Sequence, residues 1–233
     1  MQSVEHHDFH LSIIIIALNE ADIIEAQLAA LAPFRTQGAE LIVVDGGSQD
    51  ATVTLAIPLA DQVLISAPGR ARQMNHGAQA ARSMNLLFLH ADTRLPANAT
   101  EAVSGALINN MWGRFNVSIQ GRSPLFGIIA HAMNLRSRLT GIATGDQAIF
   151  MTFQAFNEVG GFPDQPLMED VEISRRLKRL SPPTCLKQRV ITDGRRWEKH
   201  GVLATIWLMW QLRWRYWRGA SPQQLAEYYR HVR

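Results

Sequence analysis

Residues 11–20 read Leu-Ser-Ile-Ile-Ile-Ile-Ala-Leu-Asn-Glu, and this stretch decides the fold class of the 233-residue chain. Its first part, 11–17, is mostly apolar and β-branched, which is typical of a strand that a parallel sheet buries on both faces. Apolar residues then recur at helical spacing as far as Pro33, and residues 40–44 form a second apolar run. Strand, helix and strand in this order predict a β-α-β unit.

The same alternation continues along the chain and predicts a doubly wound α/β fold. The predicted elements of the first half are helices at 48–57 and 72–82 and strands at 63–65 and 86–89. Those of the second half are strands at 112–120 and 145–151 and helices at 125–139, 152–159 and 168–180. We therefore expect one mainly parallel sheet flanked by helices, with a C-terminal helical extension.

The composition excludes several classes of protein. With 47% hydrophobic residues the chain forms a core, and a net charge of +3 without charge blocks gives no reason to expect a nucleic-acid partner. The single Cys185 excludes an internal disulfide and a cysteine metal site. The first ten residues lack a signal-peptide pattern, and the apolar stretch 201–212 is too short to cross a bilayer. We expect a cytoplasmic chain without a transmembrane helix.

Polar residues follow three of the predicted strands, at 19–20, 45–50 and 90–92. Ligands of open α/β sheets bind at the carboxyl ends of strands, so these residues are the first candidates for a site. Helix capping is the alternative role for most of them. Asp45 and Asp92, however, each follow four apolar residues, where a carboxylate is unfavourable unless it meets a cation, a donor or water. We therefore interpret these two as functional.

Six short motifs follow one another between residues 11 and 197. They are Ala-Leu-Asn-Glu at 17–20, Val-Asp-Gly-Gly-Ser-Gln-Asp-Ala-Thr at 44–52, His-Ala-Asp at 90–92, Gly-Asp-Gln at 145–147 with Gly-Gly-Phe at 160–162, Glu-Asp at 169–170 and Arg-Arg-Trp at 195–197. In this order the chain resembles the family 2 glycosyltransferases, which have the GT-A fold. The resemblance implies an inverting transferase that moves a sugar from a nucleoside-diphosphate donor, a UDP- or GDP-sugar, to a hydroxyl acceptor.

The resemblance also implies roles for individual residues. Asp170 is the expected general base, with Glu169 beside it, and Asp92 is the expected ligand of Mg²⁺ or Mn²⁺, which would neutralise the leaving diphosphate. The expected donor-binding residues are Ala17, Asn19, Glu20, Asp45, Ser48, Asp50, Arg70, Arg72, Asn75, Ala91 and Arg196. The expected acceptor-binding residues are Gly145, Asp146, Gln147 and Trp197.

Some of these assignments have structural alternatives. Arg70 and Arg72 suit an anion at a helix amino terminus, but they equally suit the solvated start of an amphipathic helix. Asp146 has the alternative of a turn residue, and core packing is the favoured role for Trp197. Residues 169–170 also complement the dipole of the helix that they begin.

Two positions depart from the family pattern. His90 stands where the metal motif Asp-any-Asp has its first aspartate, and it is interpreted as a weak ligand, a ribose contact or a strand-end residue. Asp193 stands at the glutamine of the Gln-any-any-Arg-Trp motif of processive polymer synthases. With no predicted membrane span, this departure indicates a non-processive enzyme.

We divide the chain into a catalytic domain, residues 1–200, and a tail, residues 201–233. Within the first, residues 11–95 form the nucleotide-binding half and 96–200 the acceptor half. The tail is predicted to contain a Trp-rich helix near 203–217 and a further helix that begins with a capping box at Ser221.

The Trp-rich helix has two open interpretations. Its tryptophans share one face and arginines lie among them, which fits either a core or homodimer interface or a helix that lies on an anionic membrane at 203–218. On the second interpretation the chain works at the inner face of the membrane on a lipid-linked acceptor, and on the first a small-molecule acceptor is equally suitable. A nucleotidyltransferase and a non-catalytic nucleotide-sugar binding module stay as alternative functions.

Overall fold

The computed structural model describes residues 9–232, apart from the side chains of residues 196, 200, 231 and 232. Its strands are β1 (Leu11–Ala17), β2 (Ala39–Asp45), β3 (Gln62–Ile65), β4 (Asn85–His90), β5 (Thr93–Arg94), β6 (Trp112–Gln120), β7 (Ile149–Thr152) and β8 (Thr184–Asp193). Its α-helices are α1 (Ala21–Thr36), α2 (Thr52–Ala56), α3 (Arg70–Ala80), α4 (Ala99–Leu107), α5 (Phe126–Thr140), α6 (Phe153–Glu158), α7 (Glu169–Leu177), α8 (Arg195–His200), α9 (Val202–Trp217) and α10 (Pro222–Val232).

All these strands belong to one sheet in the order β3-β2-β1-β4-β7-β6-β8-β5. The four strands of the first half, β3, β2, β1 and β4, are parallel. The strand β7 is antiparallel to both β4 and β6, whereas β8 is parallel to β6 and antiparallel to β5. The expected α/β sheet flanked by helices is confirmed, and its second half is mixed rather than parallel.

The strand β1 is buried along its whole length, as its sequence predicts. Ile13 and Ile15 pack in the apolar cluster that includes Leu28 of α1, and Ile14 and Ile16 pack in the cluster on the other face of the sheet, which includes residues of α3. Gly77 allows α3 to approach this second face closely. A Cβ atom at Gly77 would lie 2.4 Å from Cγ2 of Ile14.

The structure corrects the predicted strand at 145–151. Residues Gly145–Gln147 form a 3-10 turn, and β7 begins only at Ile149 after Ala148, which has a φ of +46°. A capping box between Thr144 and Gln147 holds the turn, since each side chain binds the backbone of the other residue. The local hydrogen bonds therefore prevail over the apolar pattern that indicated a strand.

Two further differences have local causes. The predicted helix at 48–57 is the shorter α2, because the residues before Thr52 form a loop that side-chain hydrogen bonds hold. The strand β8 has no counterpart among the predicted elements. It pairs along most of β6 although much of it is half-buried or exposed, so its sequence, Thr-Cys-Leu-Lys-Gln-Arg-Val-Ile-Thr-Asp, carries little apolar pattern.

The C-terminal helices α9 and α10 pack against each other and against the segment before α7. Leu208 and Leu212 of α9 and Leu225 of α10 form a buried cluster with Met168. Within residues 9–232, every helix is too short or too polar to cross a membrane.

Replacing Gly77 with alanine tests the close packing of α3 on β1. We expect Gly77→Ala to lower the free energy of unfolding by about 1–2 kcal/mol, since overpacking costs about 1–3 kcal/mol and the higher helix propensity of alanine offsets at most about 1 kcal/mol. Denaturation in urea measures the change. Gly105 of α4 is the matched control, because a Cβ atom there would meet nothing within 4 Å, and Gly105→Ala should leave stability unchanged or higher. Equal effects of the two substitutions would contradict the close approach.

Candidate active site

The loops that follow β1 and β2 are joined by hydrogen bonds into one surface. The backbone N–H of Asn19 donates to Oγ of Ser48 at 2.7 Å, and the N–H of Gln49 donates back to Oδ1 of Asn19 at 2.9 Å. The carboxylate of Asp50 accepts from the N–H of Ala21 at 3.1 Å. The bond from the Thr52 hydroxyl, which is the main cause, lowers the pKa of Asp50 and keeps it ionised. Asn19, Ser48 and Asp50 thus lie together, as the motif order implied.

Asp45 orders the second of these loops. Its carboxylate is buried and accepts from the N–H groups of Gly47 at 2.8 Å and Ser48 at 2.7 Å, and from the Ser48 hydroxyl. The loop itself therefore offsets the unfavourable burial of this carboxylate, for which the sequence left a cation, a donor or water as alternatives. Local capping accounts for the position of Asp45.

The register of the sheet brings the end of β4 beside these loops. Ala17 of β1 is paired with Asp45 of β2, and Ile16 is paired with His90 of β4. Since neighbouring strands are about 4.8 Å apart, Asp45 and His90 are about 10 Å apart across β1. Gln73 of α3, which the sequence did not single out, supports this edge by donating from Nε2 to the carbonyl oxygens of Ala17 and Val44 at 2.8 and 2.9 Å.

A cavity of about 800 Å³ lies at this edge of the sheet. Several residues that the sequence predicts for the site line it together, namely Arg70, Asp92, Asp146, Asp170 and Trp197, with His90 among them. Its remaining walls come largely from α9 and α10, including Leu208, Leu212, Arg213, Glu227, Tyr229 and Arg230. The helical tail therefore closes one side of the candidate site.

Asp170 is held in the cavity by backbone groups. Its Oδ2 accepts from the N–H of Gly145 at 3.0 Å, and its Oδ1 accepts from the N–H of Val171 at 2.7 Å. On the other side of the turn, Oδ1 of Asp146 lies 3.8 Å from Nδ1 of His90. Gly145 has no room for a side chain, because a Cβ atom there would lie 2.7 Å from Nε2 of His90. The structure thus places the motif at 90–92 and the motif at 169–170 on either side of Gly145.

Glu169 differs sharply from its neighbour Asp170. Glu169 is buried outside the cavity lining and holds Arg70 with two contacts, 2.6 Å from Nε to Oε1 and 3.1 Å from Nη2 to Oε2. Burial raises the pKa of Glu169, and Arg70 opposes this. Desolvation acts to lower the pKa of Arg70, but Glu169, Asp170 and Asp146 more than offset it, so the guanidinium stays charged. Glu169 therefore positions Arg70, whose side chain is 42% exposed.

Among residues 9–232, three residues other than glycine have left-handed backbone conformations, and each lies in a loop that carries a site motif. Asn19 has a φ of +53°, Ala148 of +46° and Met168 of +67°. Such conformations are unfavourable and persist where the surrounding structure enforces them, often at functional sites. Met168 directly precedes Glu169 and is buried, so this strain fixes the direction in which α7 begins.

Other predicted residues lie outside the cavity lining and are engaged elsewhere. Arg72 pairs with Asp164 at 2.8 Å, and that hydrogen bond is the main cause of its raised pKa. Asn75 donates to and accepts from the backbone of Phe162, both at 2.8 Å, which secures the turn that contains Gly161.

Three more positions complete the comparison with the sequence. Gln147 is fully buried and holds the 3-10 turn, and Ala91 is also buried. Glu20 lies 3.5 Å from Nη2 of Arg195, so the carboxyl-terminal motif does return to the end of β1. The side chain of Arg196 lies outside the described residues.

The acidic residues around the cavity fit a divalent cation that arrives with a diphosphate. No group of three or more His, Cys, Asp or Glu side chains that could hold a metal occurs in the described part of the chain. Asp92 is nevertheless partly exposed and lines the cavity. Mg²⁺ commonly binds one or two carboxylates together with substrate phosphates, and one aspartate is then sufficient.

Comparison with known sequences gives the family. The sequence model of glycosyl transferase family 2 matches residues 12–151, more than half of the chain. The chain belongs to glycosyl transferase family 2. No curated protein matches it.

Solved structures share the fold of this family 2 chain at low identity. Mannosyltransferase PcManGT from Pyrobaculum calidifontis, in complex with GDP-Man and Mn²⁺, is 18% identical with a TM-score of 0.59, over 79% of this chain and 56% of that one. S. aureus TarS 1-349 is 18% identical with a TM-score of 0.61, over 84% of this chain and 64% of that one. Glucosyl-3-phosphoglycerate synthase from Mycobacterium tuberculosis is 19% identical with a TM-score of 0.58, over 78% and 70%. The chain thus spans less than two thirds of the first two structures.

Removing the charge of Glu169 tests its hold on Arg70. We expect Glu169→Gln to lower the free energy of unfolding by about 1–3 kcal/mol, less than for a fully buried pair because Arg70 is partly exposed. Asp164→Asn is the matched control, since both side chains of its pair with Arg72 are more than half exposed and such surface pairs contribute little to stability. Urea denaturation of both variants measures the difference. Equal losses would refute the assigned role of Glu169.

Proposed function

We propose that this chain is an inverting, metal-assisted glycosyltransferase that uses a nucleoside-diphosphate sugar and an acceptor hydroxyl. The observation that carries the proposal is the carboxylate of Asp170, which the N–H of Gly145 holds in a cavity that Arg70 and Asp92 also line. A carboxylate base and groups that neutralise a diphosphate are the parts that such a transfer needs.

The donor fits the edge formed by the ends of β1, β2 and β4. Asn19, Ser48 and Asp50 form the joined loops that would hold the nucleoside, and Arg70 would bind the diphosphate. Neighbouring structures support this choice, since PcManGT is described with GDP-Man and TarS 1-349 with UDP-GlcNAc. A UDP- or GDP-sugar is therefore the proposed donor.

The chain's residues account for the steps of the transfer. Asp170 accepts the proton of the acceptor hydroxyl, whose oxygen attacks the anomeric carbon while the bond from that carbon to the diphosphate breaks. Attack from the face opposite the diphosphate inverts the anomeric configuration and needs no protein nucleophile. Arg70 neutralises charge on the leaving diphosphate. Asp92, with His90 beside it, would hold Mg²⁺ or Mn²⁺, which supplies Lewis-acid stabilisation of that charge when bound.

The acceptor side lies between the 3-10 turn and the C-terminal helices. Gly145 and Asp146 form the turn at Asp170, and Trp197 both lines the cavity and packs against the apolar cluster that contains Phe126. The backbone of this turn would orient the acceptor hydroxyl towards Asp170. Gln147 would act by holding the turn.

Asp170→Asn separates the proposed enzyme from a non-catalytic binding module. The variant should lose sugar transfer by about 10²- to 10⁴-fold, because it lacks the base. It should still be stabilised by the nucleotide sugar with Mn²⁺ or Mg²⁺ in a thermal-shift assay that screens UDP- and GDP-sugars. Asp22→Asn, at an exposed position at the start of α1, is the control and should keep both properties. Unchanged transfer by Asp170→Asn would refute the base, and transfer of the nucleoside monophosphate with release of the sugar 1-phosphate would indicate a nucleotidyltransferase.

The outer face of α9 supports a further proposal, contact with an anionic membrane surface. Trp207, Trp210, Trp214 and Trp217 are 67%, 73%, 58% and 81% exposed. The helix contains no acidic residue, and the guanidinium of Arg218 lies 5.1 Å from the ring centre of Trp214. Tryptophan with arginine suits the interface of a bilayer with negative lipids, so we take this membrane in preference to a second copy of the chain.

Substitution of two tryptophans tests this contact without removing α9, which also lines the cavity. The variant Trp210→Ser with Trp214→Ser should lose most binding to vesicles that contain phosphatidylglycerol, measured by co-sedimentation. Ile108→Ser is the control, since Ile108 is also an exposed apolar residue but lies after α4. Equal binding by both variants, or a dimer of the native chain that the tryptophan variant abolishes, would overturn the membrane assignment.

A further inference from the structure

Arg136 of α5 has two buried nitrogen atoms without a hydrogen-bond acceptor. Within the described part of the chain, neither its Nε nor its Nη2 has a partner, while its Nη1 reaches the carbonyl oxygen of Ile142 at 3.5 Å. The buried Arg114 shows the contrast, because it donates to neutral acceptors that include Oγ of Ser137 and the carbonyl oxygen of Asn134. An unpaired guanidinium is unfavourable, so Arg136 points to a missing anionic partner.

Two other arginines, Arg213 and Arg114, lie near Arg136 and act on its charge. Burial is the main cause that lowers its pKa, and Arg213 and Arg114 lower it further while Asp170 raises it, giving a value of about 10. Arg136 is therefore still protonated at neutral pH. The helices α5 and α9, which provide Arg136 and Arg213, contain no aspartate or glutamate.

The position of Arg136 connects it to the acceptor side of the cavity. Met133 lies one turn earlier on the same helix and lines the cavity, as do Arg213 and Asp170. No ion pair joins Arg213 to another side chain that the structure describes. Arg70, in contrast, is paired with Glu169. Arg213 in the cavity lining, and Arg136 near it but outside the lining, thus form a second group of cations, distinct from the arginine proposed for the donor diphosphate.

We propose that Arg136 and Arg213 bind the phosphate group of a phosphorylated acceptor beside Asp170. The assignment of this anion to the acceptor rests on the proposed function, whereas the binding of the anion does not. Guanidinium groups bind phosphate oxygens through paired N–H donors, which matches the orphaned Nε and Nη2 of Arg136. Leu208, Met209 and Leu212 line the same cavity and would contact the apolar part of such an acceptor.

The first experiment uses inorganic phosphate as the probe and the full chain without donor or metal. Phosphate should raise the melting temperature of the native chain above that in chloride of equal ionic strength. Arg136→Gln and Arg213→Gln should each weaken the apparent phosphate affinity by about tenfold or more, as expected for the loss of charge-assisted hydrogen bonds. Arg138→Gln, an exposed position on the same helix, is the matched control and should respond like the native chain.

Two further comparisons separate loss of phosphate binding from binding at the donor site and from loss of stability. Loss of the phosphate response in Arg70→Gln, with the response retained in Arg136→Gln and Arg213→Gln, would assign the anion to the donor site and overturn the proposal. Arg136→Gln removes a buried unpaired charge, so its melting temperature without phosphate should not fall below that of the native chain. An equal phosphate response in the native chain, Arg136→Gln and Arg213→Gln would overturn the proposal.

The second experiment separates the two sources of a phosphate monoester. Glycerol 3-phosphate should compete with inorganic phosphate if the acceptor is soluble. If the acceptor is a lipid, phosphatidylglycerol vesicles should bind the chain better when phosphatidic acid replaces part of the phosphatidylglycerol, an exchange that keeps the surface anionic for α9. Arg136→Gln should lose the competition by glycerol 3-phosphate or the preference for phosphatidic acid, whereas Arg138→Gln should behave like the native chain. An effect that persists in Arg136→Gln overturns the site. The Asp170→Asn assay tests the sugar transfer separately. A negative result there would not affect the proposed anion site, and a negative result in the phosphate assays would not affect the proposed transferase activity.

Discussion

The burial of β1 on both of its faces is the constraint on which the site depends. Each residue of this strand is enclosed by helices or by β2 and β4, and the buried Ser12 hydroxyl donates to the Glu40 carboxylate at 2.7 Å, a bond that a slip of one residue would break. The pairs Ala17 with Asp45 and Ile16 with His90 are consequences of that fixed register. Because the register is fixed, the polar loops meet at one edge without needing a ligand to gather them.

Neighbouring carboxylates at the start of α7 then acquire different roles from their surroundings. Glu169 is buried and occupied by Arg70, whereas Asp170 faces the cavity and accepts from the N–H of Gly145. As consecutive residues of α7, the two side chains point in different directions from the helix axis. The positive φ of Met168 sets the direction in which this helix begins. A residue pair that reads as one acidic motif therefore divides into a positioning group and a candidate base, as pairs of titratable groups in different environments commonly do.

The sequence predicts a feature only where burial or a motif leaves a pattern in consecutive residues. The strand β1 is predictable because burial on both faces leaves an uninterrupted apolar run, whereas β8 is largely half-exposed and leaves no such pattern. The partner of Asp45 was left open between a cation, a hydrogen-bond donor and water, because its donors, the N–H groups of its own loop, carry no sequence signal. Asp170 depended on the family resemblance. Arg136 was not found, because the burial of its Nε and Nη2 without a hydrogen-bond partner arises from the packing of elements distant in sequence.

The helix α9 joins the two proposed binding surfaces physically. One of its faces places Leu208, Leu212 and Arg213 in the cavity, and its opposite face exposes the tryptophans. An α-helix with its side chains is about 10–12 Å across, so a bilayer in contact with the tryptophans would lie about one helix diameter from the cavity. A lipid phosphate would need to move only that distance to reach Arg213. The arginines of α9, Arg213 and Arg215, lie near its C-terminal end, and the helix contains no acidic residue that would oppose a negative group on either face.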